Sequence, residues 1–134
     1  MGNISPDTGL PESYPFKPEY ELTPKYVHDA VAQNRVLLID CRTREEFDFV
    51  HVPGSVHIPL DEIERRADEV VSAPGQEVAV ICHHGVRSMR AALALRALGQ
   101  PRAMSVAGGI DAWSQGVDPG IKRYERSGSR VWGV

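Results

Sequence analysis

A chain of 134 residues with ordinary hydrophobic content can form one domain with a full core and needs no covalent staples. Fifteen Lys and Arg against eighteen Asp and Glu leave a formal charge of −3, which argues against nucleic-acid binding through a broad basic surface. Two cysteines, at 41 and 82, make neither a CxxC pair nor a disulfide framework, and no apolar run is long enough to span a bilayer. A reducing, cytoplasmic setting without membrane contact is expected, with at least one thiol available for chemistry.

Residues 1–18 carry Pro6, Pro11, Pro15 and Pro18 among small polar residues, which predicts an extended lead-in. Tyr20-Glu21-Leu22 reads as a short edge strand. Thr23-Pro24 then starts a helix, with Thr as N-cap and Pro at the first helical position, and Asn34 is its expected stop. Val36 to Asp40 is a β-branched, buried-strand run ending in an acid. Thr43-Arg44-Glu45-Glu46 is a capping box, so a short helix should follow. Ser55 to Ile58 is a third short strand between Pro53-Gly54 and Pro59, and Leu60 to Val71 reads as a helix with Leu60, Ile63, Ala67, Val70 and Val71 inward. Glu77 to Ile81 is another buried strand. Met89 to Leu98, rich in Ala and Leu, is a helix stopped by Gly99. Arg102 to Val106 is the last strand expected, and a short helix runs from Gly108-Gly109 through Trp113. Residues 125–134 read as an irregular tail.

Strands alternating with helices imply an α/β fold of three layers, a mostly parallel central sheet of about five strands with helices on both faces. In such sheets the site lies at the carboxyl ends of the strands, where Asp40 and Cys82 both stand.

The stretch Cys82-His83-His84-Gly85-Val86-Arg87-Ser88 joins a strand to a helix, where unpaired N–H groups favour anions. Arg87 and Arg90 sit in the first helical turn, where cations are unfavourable unless an anion is bound nearby. A thiol attacks only when ionised, and lowering its pKa from ~8.5 to ~6.5 takes roughly 2.7 kcal/mol. A helix terminus supplies at most about 2 kcal/mol, so further donors are required. Backbone N–H groups curled round the sulfur, helped by Gly85 at positive φ and by the Arg87 cation, would close the gap. A ring of donors centred on the sulfur is the expectation.

This loop resembles the active-site loop of the rhodanese family of sulfurtransferases in its single-domain form. Ile39-Asp40-Cys41-Arg42 with Glu46-Phe47 is similar to that family's D-x-R…E-F stretch, and His51 to Pro59 to its H-I-P-G-A…I-P motif. Gly108-Gly109-Ile110-Asp111-Ala112-Trp113 matches its G-G…W signature. The likeness covers residues 19–124, and departs at Val50, where glycine is usual, and at His57, where asparagine is common. It implies covalent sulfur transfer without a metal or other cofactor, through a persulfide on Cys82. A small anionic donor such as thiosulfate would load the cysteine, and cyanide or a thiol would unload it. The alternative it implies is a protein-to-protein persulfide carrier with little thiosulfate activity. Cysteine phosphatases place five residues between cysteine and arginine. Four separate Cys82 from Arg87, a ring better sized for sulfur than for phosphate.

Each remaining residue has a plainer reading beside the functional one. Cys41 reads as small core filler, the alternative being a resolving thiol near Cys82. His83 and His84, adjacent and without a second ligand pair, fit zinc poorly and should shape the loop's charge and entrance. Arg87 either contacts the substrate anion or is solvated, and Ser88 either caps the helix or donates to sulfur. Asp40, Arg42 and Glu46 are expected as supporting ion pairs, Arg42 with Glu46. His51 and His57 are expected as hydrogen-bonded structural residues, and Trp113 as a core anchor.

Overall fold

The computed structural model describes residues 3–134, so the first two residues of the expected lead-in lie outside the described residues. Five parallel strands form the central sheet: β1 (Glu21–Leu22), β2 (Val36–Asp40), β3 (Val56–His57), β4 (Glu77–Ile81) and β5 (Met104–Val106). Their spatial order is β1-β5-β4-β2-β3. From β2 the chain goes outward to β3, and from β4 it goes outward in the other direction to β5. The order therefore reverses between β2 and β4, and a crevice opens at their carboxyl ends.

Both faces of the sheet are covered. Helix α1 (Pro24–Ala32) and helix α4 (Gly109–Gly116) lay Val27, Ala30, Ile110 and Trp113 over Val36, Leu38, Ala79 and Ile81. Helix α3 (Val86–Ala97) lays Ala91, Ala92 and Leu95 over Ile39, Val78 and Val80 on the opposite face. The capping signals are present where the sequence places them. Thr23 Oγ1 accepts from the Tyr26 N–H, and Thr43 and Glu46 close the expected box at the start of helix α2 (Arg44–Phe49).

Three segments differ from expectation. Residues 60–71 form two 3₁₀ turns, Leu60–Glu62 and Ala67–Glu69, rather than one helix. Pro59 offers no side-chain cap there, and Arg65 and Arg66 pair with acids three residues away as readily as four. Ile63 and Val70 still reach the core, but Val71 points to solvent. The expected extended lead-in folds back on itself. Ser5 and Leu10 bond across a turn, Ile4 bridges Pro11, and Leu10 is buried. The prolines build turns here because one large apolar side chain anchors the segment to the body of the domain.

The expected irregular tail is a hairpin, β6 (Tyr124–Ser127) paired antiparallel with β7 (Arg130–Gly133). Gly128, at φ +59, supplies the positive φ of its two-residue loop. Only Tyr124 of β6 is buried, so the strand carries too few core residues for a hydrophobic pattern to show.

Candidate active site

Cys82 is the first residue after the central strand β4, and it is 1% exposed. The chain then turns through His83, His84 and Gly85, whose φ of +106 demands glycine, and enters α3 at Val86. Gly85 N–H donates to Cys82 Sγ at 3.1 Å. Ser88 Oγ lies 3.2 Å from the sulfur and 2.7 Å from Ser105 Oγ, a chain of hydroxyls in which each can donate toward an ionised sulfur. The Cys41 thiol lies beside it, at the end of the neighbouring strand. Together these hold the Cys82 thiol down to about 5: the Cys41 hydrogen bond contributes most, burial opposes it, and the Ser88 hydroxyl and the Ser88 and Gly85 N–H groups add to it. At neutral pH Cys82 is a thiolate.

The backbone shows why donors, and not carbonyls, face the sulfur. The carbonyl of Cys82 accepts the Ile110 N–H at 2.8 Å, and that of His83 accepts the Asp111 N–H at 3.1 Å. Both donors belong to the first turn of α4, where N–H groups have no partner within the helix. This docking is possible because residue 109 is glycine. Its φ is +64, and a Cβ there would collide with the Cys82 and His83 carbonyls. The neighbouring Gly108 N–H donates to Tyr14 Oη at 3.1 Å, and Tyr14 in turn donates to Glu21 at 2.7 Å, which ties the N-terminal segment to the loop.

The ion pairs are not those expected. Arg42 is bidentate on Asp40, with Nε 2.9 Å and Nη2 2.7 Å from its two oxygens, and also holds the Val50 carbonyl at 2.6 Å. Glu46 instead receives Arg87, at 2.6 and 2.8 Å, and the Tyr124 hydroxyl at 2.5 Å. Fully buried, Glu46 would rise on desolvation alone, but Arg87 and Tyr124 bring its carboxyl down to about 2. Arg87 is thus neither solvated nor turned onto the sulfur. Its hydrogen bonds go to Glu46, forty-one residues away in the chain, and its charge reaches the two thiols only through space.

His83 stacks on the Tyr124 ring at 4.0 Å, and burial, then the adjacent His84, lowers it to about 4, so it is neutral and gives the thiolate no charge. Its Nε2 is buried without a hydrogen-bond partner among the described residues. His84 and Val86 are exposed at the rim. His51 donates to the Phe47 carbonyl and His57 to that of Arg42, both structural bonds. A cleft of about 790 Å³ opens beside the loop, lined by Cys41, Thr43, Leu60, Arg65, Arg87 and Arg90 among others. Arg90, exposed and without an ion-pair partner among the described residues, lines this cleft together with Arg65, which pairs with Glu62, and the acids Asp61 and Glu64.

A model of the rhodanese-like domain family matches residues 23–116, most of the chain, including Cys41 and the loop from Cys82 to Ser88 but not Tyr14 or Tyr124. The chain belongs to that family. Relatives of this rhodanese-like domain include the adenylyltransferase and sulfurtransferase UBA4 of Candida albicans, 34% identical over 82% of the chain and 27% of that protein. A putative sulfur carrier protein, YrkF of Bacillus subtilis, is 39% identical over 58% of the chain and 40% of that protein. The chain therefore spans well under half of these two proteins. Among solved structures, the human single-domain sulfurtransferase TSTD1 is 27% identical with a TM-score of 0.58, covering 73% of this chain and 96% of that one. A rhodanese-like domain protein of Staphylococcus aureus is 27% identical with a TM-score of 0.64, covering 77% and 96%.

Several residues of this rhodanese-like site were not anticipated from the sequence. Ser105 and Tyr124 carry no local signal, since their partners lie far along the chain. Tyr14 sits in a segment whose prolines suggested no packing. Cys41, expected as core filler with a thiol near Cys82 as the alternative, stands beside Cys82 because parallel neighbours in one sheet bring together the residues that follow two buried strands.

Proposed function

We propose that this rhodanese-like domain is a sulfurtransferase that carries sulfane sulfur as a persulfide on Cys82. The observation that carries this reading is a buried thiolate whose direct hydrogen-bond donors are neutral, with the Arg87 cation acting on it only through space. Cys41 S–H, Ser88 O–H and the loop N–H groups stabilise negative charge without quenching it. The same donors can serve a second sulfur, because a persulfide is likewise an anion.

With thiosulfate as donor, the Cys82 thiolate attacks the outer sulfur. A sulfur–sulfur bond forms to Cys82 as the bond to the sulfonate group breaks, and sulfite leaves with its electron pair. Cyanide or a thiolate then attacks the outer sulfur of the persulfide and releases the Cys82 thiolate, completing a ping-pong cycle. Arg90 at the cleft draws anionic donors toward the loop, while Arg87 keeps the loop in place through Glu46. A reducing cytoplasmic setting keeps the Cys82 thiol available for this chemistry.

A second reading is favoured by the relatives whose names describe a sulfur carrier or a sulfurtransferase joined to an adenylyltransferase. In it the persulfide comes from, or goes to, another protein, and thiosulfate is a poor donor. One experiment addresses both. The protein is incubated with thiosulfate or with a persulfide donor, its intact mass is recorded, and cyanide is added while thiocyanate is followed. One added sulfur, removed by cyanide and absent in Cys82→Ser, is expected. Loading only by the persulfide donor would favour the carrier. No adduct from either donor would sink both readings.

A further inference from the structure

Sulfur transfer as described uses Cys41 only as a hydrogen-bond donor, but its position allows it a reaction of its own. Strands β2 and β4 are parallel neighbours in the register Asp40↔Ile81, and the Cys41 N–H extends that ladder onto the Ile81 carbonyl at 3.1 Å. Cys41 and Cys82 are therefore the next residues of two adjacent strand ends. Side chains alternate along each strand, so Leu38 and Ile81 enter one core cluster, while Ile39, Cys41, Val80 and Cys82 enter the other. The two thiols leave the sheet on the same side, from backbones about 4.8 Å apart. That lies within the roughly 4.4–6.8 Å Cα separation a disulfide spans. Both are free cysteines, both are buried, and the cleft described above reaches Cys41.

We propose that Cys41 is a resolving thiol: it attacks the inner sulfur of the Cys82 persulfide, forms a Cys41–Cys82 disulfide and expels the outer sulfur as hydrosulfide. This rests on the persulfide reading above. The Cys41 S–H bond and the persulfide S–S bond break; the S–S bond between the cysteines and an S–H bond on the leaving sulfur form. The Cys41 proton departs with the sulfide. The sulfane sulfur is reduced by two electrons, and the two cysteine sulfurs supply them, so no outside oxidant enters. Loop N–H groups that cradle the persulfide charge also stabilise the departing hydrosulfide. A thiol in the cleft then reduces the disulfide and restores both cysteines.

In the unloaded site the hydrogen bond to Cys82, and then burial, push the Cys41 thiol well above its ordinary value; burial persists once Cys82 carries the persulfide, so the Cys41 thiolate is scarce and resolution is slow. An acceptor in the cleft wins that competition. Without one, the domain releases its stored sulfur as sulfide and closes its own active site until reduced. The domain thus has a second, acceptor-independent output.

The test uses the reduced full chain, loaded with thiosulfate or a persulfide donor, freed of excess donor and left without acceptor. The one-sulfur adduct should decay to a species two hydrogen masses lighter than the reduced chain, with stoichiometric release of sulfide. Digestion should yield a peptide linking Cys41 to Cys82, and dithiothreitol should restore the starting mass. Cys41→Ser and Cys41→Val should keep the adduct and release no sulfide. The wild-type peptide map stands without the variants should either misfold. A wild-type adduct that persists without disulfide or sulfide overturns the resolving role and leaves the persulfide reading intact. No adduct and no disulfide from either donor overturns both.

Discussion

Two buried anions lie within one loop of each other in this rhodanese-like domain, and they are held in opposite ways. Glu46 is surrounded by the Arg87 guanidinium, the Tyr124 hydroxyl and the Thr43 cap, with Arg126 at 3.6 Å. Cys82 is surrounded by a thiol, a hydroxyl and backbone N–H groups. Both groups are ionised at neutral pH despite burial, Glu46 brought down to about 2 and Cys82 to about 5. A cation in direct contact neutralises its partner and makes it structural. Neutral donors lower the energy of the charge but leave the electron pair available for attack. The arginine nearest the nucleophile in sequence therefore serves the inert anion, which keeps the loop fixed while the sulfur stays reactive.

The largest expected break in this contrast is at the inert site. Glu46→Gln leaves Arg87 without its ion-pair partner and should cost about 3–5 kcal/mol of stability, read from urea unfolding. Because Glu46 titrates at about 2 when folded against an ordinary 4.5, its contribution is complete above pH 4.5 and is lost as the pH falls toward 2. The gap between wild type and variant should close over that window. Cys82 has the same sign in a different window. Its contribution is complete only above its ordinary value of 9.0 and is lost as the pH falls toward 5. The stability gap between wild type and Cys82→Ser should widen as the pH rises through that range.

Next in size is the backbone that aims the donors. Gly109→Ala meets the Cys82 and His83 carbonyls at a positive φ, with strain of about 1–3 kcal/mol, and should displace the loop. Lower stability together with a thiol that titrates nearer its ordinary value is the expected pair of results. Stability loss with an unchanged Cys82 titration would show that the ring does not depend on α4.

Cys41→Val then probes the neutral shell directly. It removes the largest single donor, about 1.5–3 kcal/mol for a hydrogen bond to a charged group, or roughly one to two pH units on Cys82. Ultraviolet thiolate absorbance against pH should show that rise. An unmoved curve would assign the ionisation to the loop alone.

The smallest effect is expected at Arg90. Arg90→Ala should raise KM for thiosulfate a few-fold with kcat kept, an effect that fades as salt is added. A change in kcat instead would place Arg90 on the reacting atoms and blur the separation between cation and nucleophile.

Much of the domain was legible because its signals are local. The β-branched runs at Val36–Asp40 and Glu77–Ile81, the Thr23-Pro24 start and the Thr43–Glu46 box each depend on residues a few places apart. The loop from Cys82 to Ser88 was legible for the same reason: glycine, cysteine and helix start are contiguous. The segment from Leu60 to Val71 misled because inward residues at helical spacing, such as Ile63 and Val70, suit two separate turns as well as one helix. The tail misled because a hairpin with a single buried residue leaves no apolar stripe.

By itself, then, the sequence determined the α/β alternation, the strand-to-helix turn at Cys82 and the need for donors beyond a helix end. Only the tertiary structure decided which donors these are and which partner Arg87 takes. Cys41 reaches Cys82, and Glu46 reaches Arg87 and Tyr124, across 41 to 78 residues of chain, through the reversal of strand order between β2 and β4. The physical reason is that hydrogen bonds and ion pairs are decided by distance in space. The order of strands in the sheet sets that distance, and a local pattern carries no record of it.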